Sequence, residues 1–110
     1  MTTTSEQWEY CTLKFQLRYK GEDLDRVGAR HVWLVFQAVA SGPKRNYIAA
    51  ESTEIPLPAN IAGAAFVPQK NNIGHRNVQQ NLVRELQAAG WERLPEQGGA
   101  WWETRLRRSR

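Results

Sequence analysis

Cys11, His31 and His75 are the sequence's only thiol and imidazoles, and so the first side chains to weigh for nucleophilic or metal chemistry. A thiolate activated by an imidazole attacks carbonyl carbon, and the same side chains bind zinc when they recur at spacings such as C-x-x-C or H-x-x-x-H. No such spacing occurs here, so neither a metal nor another cofactor is expected. Cys11 stands two residues from Leu13 in an alternating apolar pattern, which predicts a small buried side chain rather than a reactive one. Neither a helix start nor a basic neighbour is evident to depress its pKa. Both histidines are expected in water at the edges of elements. Glu51 and Glu54 are three apart in one expected strand, which sets them on opposite faces, and Glu22, Asp23 and Asp25 make an acidic loop. Gly28 and Gly98-Gly99 are isolated glycines without the G-x-x-x-x-G-K-[ST] pattern of a phosphate-cradling loop. These residues do not predict an enzyme of a standard class.

The remaining chemical feature is charge. The formal net charge is +4, and four arginines, Arg105, Arg107, Arg108 and Arg110, stand against Glu103 within residues 101–110 for a net +3 there. The rest of the chain is left with +1. Arginines close to Trp101 and Trp102 can neutralise phosphates and stack bases, so these four are candidate nucleic-acid contacts, with Lys44 and Arg45 as a possible extension. The bland alternative is a solubilising basic tail over 107–110.

The elements that would position these groups are legible from periodicity. Cys11, Leu13, Phe15, Leu17 and Tyr19 alternate with Thr12, Lys14, Gln16 and Arg18, which predicts a strand with one buried and one wet face. The run from His31 to Val39 is nearly all apolar and reads as a strand covered on both faces. A turn around Gly42 and Pro43 leads to a third strand from Tyr47 to Ile55, completing a hairpin over residues 31–55. Pro56, Pro58 and Pro68 predict a long irregular connection over 56–73. Val78, Leu82, Leu86 and Ala89 form one helical stripe, with Asn71, Asn72 or Asn77 as N-cap and Gly90 as the stop. Short strands at 91–94 and 100–108 follow, the last with Trp102, Thr104 and Leu106 on one face and Trp101, Glu103 and Arg105 on the other. The expected fold is α+β: an antiparallel sheet of about five strands in the order β-β-β-α-β-β, with one amphipathic helix on one face. The 110 residues suit a single domain. Residues 1–7 predict a frayed polar lead-in with no secretory signal, and no apolar run approaches the ~20 residues of a membrane span. A lone cysteine and no targeting signal point to the cytoplasm.

Trp8-Glu9-Tyr10 at the start of the first strand, and Leu86-Gln-Ala-Ala-Gly-Trp-Glu-Arg-Leu94 where the helix ends, resemble a family of small bacterial domains of unknown function. Those domains open on a W-E-Y strand, turn out of their single helix through a G-W-E-L-like segment, and close on a strand of aromatic then basic residues. Trp101-Trp102 to Arg107-Arg108 is similar to that closing strand, while residues 21–73 are an insertion relative to the pattern. The resemblance implies a helix packed on a sheet and brings no activity with it.

One helix covers one sheet face. Trp8, Tyr10, Trp33, Val35 and Trp101 are expected on the other, where they need a cover. The first functional expectation is therefore a non-enzymatic module that self-associates or binds a partner protein through this aromatic face or through an exposed strand edge. The second is a nucleic-acid-binding or regulatory protein using the arginine-rich last strand. The third is a small-molecule site beneath the 56–73 loop, near Asn60, Gln69, Lys70 and Asn71.

Overall fold

The computed structural model describes residues 8–20, 31–42, 45–57 and 66–109. The lead-in 1–7, the acidic loop with Gly28, Lys44, Asn60 and Arg110 lie outside the described residues. The described elements are β1 (Trp8–Lys20), β2 (His31–Ser41), β3 (Asn46–Glu51), β4 (Ile55–Leu57), α1 (Ile73–Ala88), β5 (Glu92–Gln97) and β6 (Thr104–Ser109). They build a six-stranded sheet in the order β3-β2-β1-β6-β5, with β4 also paired to β2, and every pairing is antiparallel.

The alternation of β1 sets the layers. Cys11 and Leu13 are buried and lie opposite Ala40 and Ala38 of β2, and Cys11 also faces Leu106 of β6. These side chains meet Leu82, Val83 and Leu86 of α1 in one core. Burying a leucine or phenylalanine completely contributes about 1.5–3 kcal/mol, so this layer carries most of the apolar stabilisation. Ala38 and Ala40 of β2 belong to the same core.

The expected third strand is two strands. β3 stops at Glu51, and β4 resumes at Ile55 along the same partner, which raises the strand count from about five to six. Between them Ser52 bonds Phe36 twice: its amide donates to the Phe36 carbonyl at 2.9 Å, and its hydroxyl accepts from the Phe36 amide at 2.9 Å. Pro56 sits in β4 rather than in an irregular loop. An edge strand tolerates proline because one side of it needs no ladder donor. Pro95 is likewise in an edge strand, β5, where the register shifts between Arg93 and Gln97.

The helix starts earlier than its leucine stripe. Asn72 is the N-cap, its Oδ1 accepting from the His75 amide at 3.1 Å. The buried face begins with two polar residues, His75 and Gln79, which apolar periodicity does not detect. At the other end, the Gly90 amide donates to Gln87 and the Trp91 amide to Leu86, the paired bonds of a Schellman stop. Trp91 is buried and closes that end of the core.

Gly90 has φ of 102°, and a Cβ there would lie 3.8 Å from Arg108 Cδ, an ordinary contact. The cost of a side chain is therefore backbone strain alone. Gly90→Ala is expected to lose about 1–2 kcal/mol in urea denaturation. Gly99→Ala, with nothing within 4 Å of its Cβ position and no positive φ, is the matched control and should stay near neutral.

Candidate functional site

Pairing register decides which of the candidate residues share a surface. Trp8, Tyr10, Trp33 and Val35 lie on the sheet face away from α1, as their even or odd positions opposite core residues require. Tyr10 is 47% exposed and Ile48 of β3 is 46% exposed. Trp8 and Trp33 are half-buried, and Val35 is buried. Trp101 is elsewhere. It belongs to the turn before β6, not to a strand, so the alternation that predicted its face does not reach it. Its ring packs edge-on against Phe36 and Trp102 on the helix side, and its Nε1 donates to the Pro68 carbonyl at 3.0 Å.

The arginine-rich segment is strand rather than tail, and it is not an edge. β6 runs through Ser109 between β1 and β5, so Arg107 and Arg108 point to opposite faces. Arg108 is on the helix side, where Glu9 Oε1 accepts from its Nη2 at 3.0 Å and its guanidinium lies 4.4 Å from the centre of the Trp91 ring. Tyr47 also donates to Glu9, at 3.2 Å. Arg107 is on the open face, 2.9 Å from Glu92 and 4.0 Å from the centre of the Trp8 ring. Arg105 is exposed on the open face, and its side chain makes no hydrogen bond or ion pair with another described residue. The three described arginines, Arg105, Arg107 and Arg108, therefore do not form one basic stripe, because two of them hold carboxylates and tryptophans of the fold.

Glu51 and Glu54 do not point apart. Both accept from Arg18, Glu51 at its Nη2 and Glu54 at its Nη1, the latter at 3.0 Å. The strand ends at Glu51, so the alternation that would separate them stops before Glu54. Glu51 also accepts from Gln37 Nε2 at 2.7 Å, and the group is a polar network on the open face.

The thiol and the described imidazole are buried inside the fold. Burial pushes the Cys11 thiol up to about 12, against a smaller opposing pull from Arg108. His75 is 4% exposed, at the core edge rather than in water. Its Nδ1 accepts from the Gln69 amide at 3.0 Å, and Phe66 meets its ring edge-on. That bond leaves the proton on Nε2 of a neutral ring, and burial holds the pKa below its ordinary 6.5. Among the described residues no group of three or more metal-ligating side chains converges, and no helix is long and apolar enough to cross a membrane.

A second surface was not signalled by any motif. A cleft of about 470 Å³ lies between α1 and the β5–β6 hairpin, bordered by Lys70, Arg76, Arg84, Arg93 and Trp101. Gln79 and Thr104, both buried, reach its wall, with Gln79 Nε2 donating to Thr104 Oγ1 at 3.0 Å. The available signal was helical spacing: Arg76, Gln80, Arg84 and Gln87 step by four, four and three along one flank.

No family model, curated protein or solved structure matches the chain.

Two solution tests follow from the buried groups. Cys11 should resist alkylation in the folded protein at pH 8 and react on addition of denaturant, because its thiol stays protonated until about pH 12. For His75, the unfolded chain takes up a proton below pH 6.5 while the folded chain resists it, so stability is present above that pH and falls as the pH drops below it. His75→Asn keeps an acceptor for the Gln69 amide and does not titrate. The melting temperature of the wild type should fall more steeply between pH 7 and 5 than that of the variant.

Proposed function

We propose that this chain is a non-enzymatic interaction module that pairs with a second copy of itself through the open face of its sheet, and that it works in the cytoplasm. The observation that carries this reading is the juxtaposition of exposed Tyr10 and Ile48 with half-buried Trp8, Trp33 and Val39 on the face opposite α1. A sheet face so furnished releases water when another surface covers it.

Charge favours a copy of the same chain over a polyanion. Arg18 is paired with Glu51 and Glu54, Arg107 with Glu92, and Lys14 with Glu103, so the face presents mostly neutralised pairs. Two such faces approach without strong repulsion, and a two-fold axis lets each apolar group meet its equivalent. Size is adequate as well. Strands lie about 4.8 Å apart and rise about 3.3 Å per residue, so the 45 residues of the six strands present on the order of 700 Å² per face, near the share of one partner in a standard interface. The second reading, nucleic-acid binding through the last strand, has less support, since Arg107 and Arg108 are engaged with glutamates on opposite faces.

Size-exclusion chromatography with light scattering checks the proposal. The wild type is expected to approach dimer mass as concentration rises, and Tyr10→Glu/Ile48→Glu to stay monomeric with an unchanged melting temperature. A wild type that remains strictly monomeric at its highest soluble concentration would refute it.

A further inference from the structure

The cleft on the helix side differs from every other charged surface described. Arg18, Arg107, Arg108 and Lys14 each hold a carboxylate. Around the cleft, Lys70, Arg76, Arg84 and Arg93 stand together and no carboxylate joins the lining. The Arg84 side chain donates to Asn81 Oδ1 at 2.8 Å, and the side chains of the other three make no hydrogen bond or ion pair with another described residue. The side chains of Arg45 and Arg105 also have no such partner, but neither belongs to the cleft.

All four side chains are exposed and screened by water, and no carboxylate stands beside them in the lining. They come from three parts of the chain. Lys70 precedes the helix, Arg76 and Arg84 lie two turns apart on α1, and Arg93 is on β5, opposite Leu106 and thus on the helix side of the sheet. The wall adds neutral hydrogen-bonding groups. Thr104 Oγ1 accepts from Gln79, which leaves its own hydroxyl proton free to donate. Gln79 is also fastened to the Trp102 carbonyl at 3.0 Å, so both groups are held rigidly. Half-buried Trp101 supplies an aromatic border.

We infer that this cleft is a binding site for a small organic polyphosphate of the nucleotide class, its phosphates held by Lys70, Arg76, Arg84 and Arg93. Guanidinium groups present paired donors that match phosphate oxygens, and a ligand bearing several charges answers several cations at once. The volume of about 470 Å³ lies in the range of roughly 300–1,000 Å³ typical of small-molecule sites. The site lies on the helix side, away from the open face that the dimer would use, so the two proposals stand or fall separately.

The test uses the full chain, isothermal titration calorimetry, and two probes, a nucleoside triphosphate and inorganic tripolyphosphate. At low ionic strength both should bind, and binding should weaken as salt rises. Arg76→Glu/Arg93→Glu should weaken it by at least about tenfold, equivalent to about 1.4 kcal/mol. The control Arg45→Glu/Arg105→Glu makes the same change in net charge outside the cleft and should leave affinity within about twofold. Arg76→Gln/Arg93→Gln provides a milder loss if the double reversal fails to fold. Absence of binding by both probes at low salt overturns the inference, as does an equal loss in the control. A single-stranded oligonucleotide serves as the third titrant. If it binds through the same arginines and neither probe competes with it, the small-ligand site is wrong.

Discussion

Everything in this fold depends on the pairing of β1 along both of its edges. β1 is registered against β2 from Tyr10 to Lys20 and against β6 from Trp8 to Thr12. Because side chains alternate strictly, a slip of one residue would exchange Cys11 and Leu13 for Thr12 and Lys14 in the core. The register is therefore enforced by the burial it produces. It also brings Glu9 beside Arg108 and Trp8 beside Ser109, joining the two ends of the described chain in the middle of the sheet.

From that register follows a division of labour between faces. The helix side is closed by leucines and by tryptophans at both ends, with Trp91 at one and Trp101 and Trp102 at the other. Polar groups enter this layer only where they are bonded, as Gln79 is to Trp102 and Thr104 and His75 is to Gln69. Buried polar groups of this kind stabilise only when satisfied, so their positions are specific. The open side has no second layer among the described elements. Its aromatics are tempered by ion pairs that keep the face nearly neutral, whereas the cleft beside α1 gathers cations that nothing described neutralises.

Much of this was legible in the residue order. The alternation from Cys11 to Arg18, the leucine stripe of the helix, its stop at Gly90 and the antiparallel α+β class all appear in the structure. What local pattern misjudged has a common cause. Alternation was extended across Glu54 and Trp101, where the backbone leaves the strand and period two no longer applies. Asn72, one of the three expected N-caps, starts the helix, but the first turns gave no apolar signal because His75 and Gln79 occupy their buried face. The arginines of β6 looked like one cluster because they are adjacent in sequence, but adjacent residues in a strand face opposite ways.

Strand alternation, capping and helix termination could be read from residue order because they are decided within a few bonds by sterics and short-range hydrogen bonds. Residue order also determined that no recognisable catalytic spacing is present. Which strand is central, which arginines pair with glutamates far away in sequence, and where the remaining cations gather depend on the packing of the whole chain. Arg108 meets Glu9 and Arg93 joins Arg76 solely because β6 inserts between β1 and β5. Electrostatic pairing acts through space at a few ångströms, so the charge that matters for binding is the remainder left after folding has brought distant residues together.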